Sequence, residues 1–596
     1  VSSNEPVACA RIAESRIFRI MDTFGEVRVT THRQGDDLLS AGLGLRGLAG
    51  LATPFANPLA PTAAELRRRA IQSNWKGIAD LGPLGGFGTV YGEVPDVPGR
   101  EFTTFAYLPG ARASHRVLAQ VPDAFDKAKR VLVVAASSGT RGIYGAIALA
   151  GSWGLPKGFA VAYTDKAAGS GYFDPADGTG VMLDGTRAKA GDAPLEFEPK
   201  GLAADAGLAA KHAHSGDHPE ADWGRHVLQA ARFGLAMLDR AFPDEAPFTA
   251  DNTTIIATGL SNGGGAVLRA AGDDVDGMLD AVVVLAPNIH VEGHGRPFYD
   301  YATEAGILLP AALAAPEFDG VPFARIGMAQ PPAWALRGAA LRAHGRLTAN
   351  TPQGQAREAL AALRESGWQD DALKVAASTT SLDLWRTVNV AYASAYLRRG
   401  AGDMPCGFAY RVQPVGGAAA VRSAWWAEGS GVPPGPGIAL AGGADLSLDP
   451  TLPGLLCLRD LWRGQGTDAL RLREAVGATA AALPRAELPV LVVHGAQDGM
   501  IPAAFSSEPY VKWLRASGRR PVFWKVPYAQ HFDAFLSFQD FSDRHAPLLP
   551  FGFAALDRAW SHLSEGRALP EDAVVRDTRP RGPGALTRGT LALPDP

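Results

Sequence analysis

The sequence predicts an α/β fold: a mainly parallel, doubly wound sheet carrying one large, mostly helical insertion. Three observations lead there. Near-continuous apolar runs alternate with amphipathic stretches from 131 to 289, as parallel strands covered on both faces require. Strand-like runs then stop and return only at "LPVLVVHGAQD" (488–498) and "RPVFWKVPYAQH" (520–531). Between them, helical periodicity takes over.

The elements follow in chain order. Residues 1–86 form an Ala/Gly/Leu-rich N-terminal extension with one clear helix, "AAELRRRAIQSNW" (63–75). "FGTVYGEVPDVPGREFTTFAYLP" (87–109) reads as two extended segments around a Pro/Gly turn, an antiparallel edge of the sheet. "RVLVVAASSGTRG" (130–142) is an apolar strand ending in small polar residues, and "GFAVAYTDK" (158–166) is the next. A helix over about 222–242 places Leu228, Ala231, Leu235, Leu238 and Phe242 on one face. Strands follow at 252–261 and 280–289. After 290 come four helical patterns, in one of which Trp385, Val388, Tyr392 and Tyr396 share a face, and a Gly/Pro-rich stretch near 429–443. The expected division is therefore a catalytic domain of 1–289 and 486–596 with a lid of 290–485 inserted between two strands.

Composition excludes several classes. Hydrophobic residues are 46% and charged residues 20% of 596, which is ordinary globular material. A net charge of -4 without a basic stripe gives no reason to expect nucleic acid as a partner. No apolar run is long enough to predict a membrane span. The chain begins at Val1, which fits removal of a signal peptide, and an exported, periplasmic or extracellular protein is expected. Cys9, Cys406 and Cys457 lie far apart without CxxC spacing, so no zinc site is expected. One disulfide with a thiol left over fits three cysteines, and the spacing does not choose the pair.

The chemistry centres on "ATGLSNGGGAVLRAA" (257–271), which holds the one Gly-x-Ser-x-Gly of the chain. In a glycine-rich chain that pattern arises by chance about 0.4 times, so its context has to decide. Here an apolar strand hands over to a helix at Ser261, and Gly259 and Gly263 remove side chains that would clash in so sharp a turn. A serine hydroxyl needs a base, and the base needs an acid to hold its tautomer. Asp498 follows the strand "PVLVVHG", and His531 follows the last predicted strand. Ser, Asp, His is the chain order of α/β-hydrolases, with each member at a strand's C-terminal end. The oxyanion hole is expected from the N–H of Asn262 and from one in "SSGTRG", at Ser138 or Gly139.

Two other features compete for attention. "KHAHSGDHPEADWGRH" (211–226) approaches the His-x-His-x-Asp-His of binuclear zinc hydrolases. It carries one residue too many and lacks the later ligands, so no metal is expected. Trp334, Trp385, Trp425 and Trp426 read mainly as the core of a helical cap. Trp425, Trp426 and His214 are the candidates for substrate contact.

With these segments in place, the chain resembles the bacterial D-(-)-3-hydroxybutyrate oligomer hydrolases, lid-bearing serine esterases related to poly(3-hydroxybutyrate) depolymerases. The resemblance rests on "SSGTRGIYG", "AYTDKAAGSGY", "KHAHSGDHPEADWG", "TGLSNGGGAVLRA", "HGAQDGMIP" and "AQHFDAF", in that order. It implies Ser261 as nucleophile, cleavage of 3-hydroxybutyrate oligomers with the polyester as a further substrate, and export. No metal or organic cofactor is needed for such chemistry. Tannase and feruloyl esterase relatives are an alternative, but those enzymes brace the triad with cysteines where this chain has Leu260 and Phe532. Acyl transfer to another alcohol or thiol, or a non-catalytic binding role on the same fold, are the remaining readings.

Overall fold

The computed structural model describes residues 23–325, 332–412, 418–432, 437–443, 448–570, 572 and 577–593. Its centre is a sheet of nine strands: β1 (Arg28–His32), β2 (Gly99–Ala106), β3 (His115–Pro122), β4 (Val131–Ala136), β5 (Ala160–Thr164), β6 (Thr254–Leu260), β7 (Ala281–Leu285), β8 (Val490–Gly495) and β9 (Val522–Val526). Their spatial order is β1-β2-β3-β5-β4-β6-β7-β8-β9. All pairs from β5 to β9 are parallel, whereas β1, β2 and β3 pair antiparallel with one another and β3 with β5.

Every residue of β4, β5, β7 and β8 is buried, because alternate side chains pack against helices on opposite faces. Leu132, Val134, Ile255, Val282 and Val492 join one core with α2 (Trp223–Ala241) and α3 (Asn262–Asp273). Val131, Val133, Ile256, Val283 and Val493 join the other, with α1 (Ala63–Ile78) and the helix Leu549–Glu565. α1 starts on a capping box, in which Thr62 and Glu65 satisfy each other's backbone N–H.

The insertion runs between β7 and β8, which pair directly in register from Val282 opposite Val490. It contains α4 (Phe298–Ala312), α5 (Pro352–Glu365), α6 (Asp370–Ser381), α7 (Leu384–Tyr396), α8 (Ala418–Glu428), α9 (Leu452–Arg463) and α10 (Thr467–Gly477). An antiparallel ribbon, Phe408–Val412 with Ile438–Gly442, lies among them. A disulfide joins Cys406, at the foot of the ribbon, to Cys457 of α9, with Cα atoms 5.8 Å apart. Cys9 lies outside the described residues.

Two expectations need correction. The stretch 87–98 is not a strand, for Pro95 and Pro98 have no N–H to give a ladder, and an isolated Phe87–Tyr91 bridge closes a local turn instead. The partners of β2 are β1 and β3. β3 escapes sequence reading because its buried face carries polar residues whose partners lie far along the chain. Arg116 donates to Glu196 at 2.6 Å, and the imidazole of His115 meets the Thr164 hydroxyl at 2.9 Å.

Candidate active site

Ser261 stands between the end of β6 and the start of α3, at φ 61° and ψ -126°. Such a conformation costs a non-glycine residue about 1–3 kcal/mol, and its surroundings hold it there. Its N–H donates to Leu285 O at 2.9 Å, and its carbonyl accepts from Gly265 and Asn288 at 3.0 Å each. The turn tolerates no extra carbon. A Cβ on Gly259 would lie 2.5 Å from the Gly263 carbonyl, and one on Gly263 would lie 2.3 Å from Ala136 O.

The side chains predicted to act with Ser261 meet it. His531 Nε2 is 3.0 Å from Ser261 Oγ, and His531 Nδ1 is 2.7 Å from Asp498 Oδ2. Asp498 Oδ1 accepts the N–H groups of Met500 at 2.9 Å and Ile501 at 2.7 Å. Burial alone would raise the Asp498 carboxyl, but the field of His531 and the bonds from His494 and His531 hold it well below the usual carboxylate range. A carboxylate at Nδ1 fixes the proton there and leaves the Nε2 lone pair facing Ser261. Gln530, which sequence reading passed over, clasps the backbone beside His531, donating to Phe532 O at 2.6 Å and accepting from Phe532 N at 2.8 Å.

β4 and β6 are neighbours, with Ala136 opposite Gly259, so the loop after β4 rises beside Ser261. The two expected donor positions in that loop separate here. Ser138 N–H already donates to Gly145 O at 3.2 Å, while the N–H of Gly139 and of Asn262 have no acceptor among the described residues. Gly139, at φ 55°, is therefore the available partner of Asn262. A buried lysine that sequence reading did not single out fastens the loop. Lys166 Nζ donates to Ser137 O at 2.5 Å, Ser137 Oγ at 2.8 Å and Gly139 O at 2.9 Å. Burial pulls its ammonium down to about 7.

A cavity of about 200 Å3 opens above Ser261. Ser138, Gly139, Asn262 and His531 form its polar side, and Leu384, Val388 and Tyr392 of α7 part of its apolar roof. Asn262 Nδ2 donates to the Tyr392 hydroxyl at 2.7 Å, which ties the elbow to the insertion.

The three candidate substrate contacts lie elsewhere. Trp426 packs on the Arg116 guanidinium at 4.9 Å and lines a different cavity, Trp425 is buried beside Tyr172, and His214 accepts the Ala210 N–H at 3.0 Å next to Tyr410. The two tryptophans are large and apolar enough to be drawn into the packing beneath the insertion rather than into its opening, and His214 is held there by its backbone hydrogen bond. The histidine-rich segment is a fastener: His212 bonds Glu220 and meets Tyr392 edge-on, and His218 donates to Ala475 O of α10 at 2.7 Å. Among the described residues no group of three or more His, Cys, Asp or Glu is arranged to hold a metal.

Asp533, two residues beyond His531, gives a pH prediction. Its buried carboxylate accepts the N–H groups of Leu548 and Leu549 at 2.8 Å each. Burial outweighs those bonds and pushes the carboxyl up to about 7, with the Asp80 carboxylate raising it further and His531 opposing. The folded protein thus holds this proton more tightly than the unfolded chain. The linked stability is fully present below about pH 4 and is lost as pH rises through about 7, a change of a few kcal/mol. In Asp533→Asn that slope should vanish, which urea midpoints of both proteins at pH 5 and pH 8 would measure.

The family model described as "3HB-oligomer hydrolase (3HBOH)" matches residues 7–592. The chain is similar to the D-(-)-3-hydroxybutyrate oligomer hydrolase of Paracidovorax citrulli (strain AAC00-1), at 36% identity over 94% of this chain and 89% of that protein. It is also similar to the protein of that name from Polaromonas naphthalenivorans (strain CJ2), at 35% identity over 92% and 87%. Among solved structures, feruloyl esterase B from Aspergillus oryzae aligns over 95% of both chains with 11% identity and a TM-score of 0.41.

Proposed function

Since the chain belongs to the 3HB-oligomer hydrolase family and is a carboxylic ester hydrolase, we propose that it cleaves 3-hydroxybutyrate oligomers through a Ser261 acyl-enzyme. The observation that carries this reading is the continuous Ser261–His531–Asp498 chain of contacts, 3.0 and 2.7 Å long, under an apolar roof.

In the proposed cycle His531 Nε2 takes the Ser261 proton as Oγ attacks the ester carbonyl. The N–H groups of Asn262 and Gly139 hold the negative oxygen, supported by the start of α3. His531 then returns the proton to the departing alcohol oxygen. Water repeats the sequence on the acyl-enzyme and frees Ser261. The insertion acts as a lid, with α7 excluding bulk water and limiting how much of a chain enters. Soluble oligomers suit a cavity of this size, and action on the polyester requires a chain end to be threaded in. Export is part of the same proposal, and the Cys406–Cys457 bridge supports it, since disulfides persist in oxidising compartments.

The test is release of 3-hydroxybutyrate from its linear dimer and trimer. The protein should cleave both and be indifferent to a chelator. Failure on both, by a protein that still reacts with an active-serine phosphonate, would retain the triad and discard the substrate.

A further inference from the structure

Two side chains able to carry a positive charge line the cavity above Ser261, and the triad accounts for one of them, His531. The other is Arg141, at the end of the loop that carries Ser138 and Gly139. Its guanidinium Nη2 donates to Gly77 O at 3.1 Å. The group lies flat against Gly77, where a Cβ would fall 2.2–2.3 Å from Nη1, Cζ and Nη2. A residue with a side chain at 77 would displace it.

Arg141 lacks the counter-charge that most inward-facing arginines here have, a lack it shares with Arg269, which is spent on the Glu220 and Ala221 carbonyls. Arg67 pairs with Glu101 at 2.9 Å, Arg116 with Glu196 at 2.6 Å, Arg337 with Asp449 at 2.5 Å and Arg459 with Asp300 at 2.7 Å. Arg141 makes no ion pair among the described residues, and burial, unopposed by any carboxylate, pulls it down to about 10. A half-buried charge left without a partner is costly, and this one faces a cavity that receives substrate. A planar fork of donors is the geometry that carboxylates bind.

Resting on the reading of the site given above, we propose that Arg141 binds the free carboxylate of the oligomer, so that the ester cut is the one next to the carboxyl end. The chemistry matches the confined space. In a linear 3-hydroxybutyrate oligomer the single carboxylate belongs to the terminal unit, which is the alcohol leaving group of the last ester. Only the ester oxygen, one CH and one CH2 separate it from the scissile carbonyl. Carboxylate and reacting carbon therefore occupy one cavity, as Arg141 and Ser261 do. Each cycle breaks the last acyl–oxygen bond and adds water, releasing one 3-hydroxybutyrate and an oligomer shorter by one unit with a new carboxylate.

The experiment compares kcat/KM for the dimer as free acid and as its methyl ester, in the wild type, Arg141→Met and Arg141→Lys. The wild type should favour the acid by about 100-fold, Arg141→Met should erase the preference, and Arg141→Lys should restore part of it. Because the readout is a ratio, a general loss of activity in a variant does not imitate it. Equal rates on acid and methyl ester in the wild type overturn the proposal without any variant. A second readout is inhibition of p-nitrophenyl butyrate hydrolysis by 3-hydroxybutyrate, expected in the wild type, absent with its methyl ester and lost in Arg141→Met. If that inhibition holds while the dimer is not cleaved, the oligomer reading fails and the carboxylate site stands. If the dimer is cleaved without preference or inhibition, the carboxylate site fails and the oligomer reading stands.

Discussion

Ser261→Ala should lower kcat for ester hydrolysis by at least about 10^4-fold, the scale on which loss of a serine nucleophile acts. The methyl group fits wherever the hydroxymethyl does, and the turn is held by backbone bonds to Leu285, Gly265 and Asn288 that the substitution does not touch. Folding and the thermal midpoint should therefore stay close to those of the wild type. Stopped assays on the dimer, with phosphonate labelling read by mass spectrometry, check both points. A variant keeping more than about 1% of the rate would remove Ser261 from the chemistry.

Asp498→Asn is expected to cost about 10^4-fold in kcat, and the local hydrogen bonds say why. Oδ1 of residue 498 accepts the N–H groups of Met500 and Ile501, so an asparagine must turn its carbonyl oxygen toward them. Its NH2 then faces His531 Nδ1 and forces that nitrogen to accept. The ring proton moves to Nε2, where it points at Ser261 and leaves no lone pair to take the hydroxyl proton. Asp498→Ala imposes no tautomer and should be the less damaged of the two. Equal losses in the two variants would mean that Asp498 acts through its charge alone.

Much of this site can be read in the sequence because its parts are local. The glycines around Ser261 are demanded by one turn, and Asp498 and His531 each directly follow a strand whose apolar run is unmistakable. Topology then joins residues 270 and 33 positions apart. What sequence reading misses depends on contacts between distant segments. Choosing Gly139 over Ser138 needs the bond from Ser138 to Gly145, and Lys166 acquires its role only when β5 ends beside β4. The face of α7 was legible as apolar, but not that Val388 meets the cavity while Trp385 meets the core. β3 was hidden within that antiparallel edge by polar residues whose partners lie beyond any local window. Trp425 and Trp426 were drawn toward the substrate by residue type alone.

The long excursion between β7 and β8 also sets a timetable for synthesis. Ser261 is made 270 residues before His531, and at about 5–20 residues per second that interval lasts roughly 15–50 s. For most of it, until residues 490–498 are made, the nascent chain holds an elbow serine with neither of its proposed partners, while β7, apolar throughout, has an unpaired edge awaiting β8. On the proposed mechanism an unfinished chain is thus inert as an esterase and sticky as a polypeptide. That edge stays unprotected until β8 arrives to pair with it.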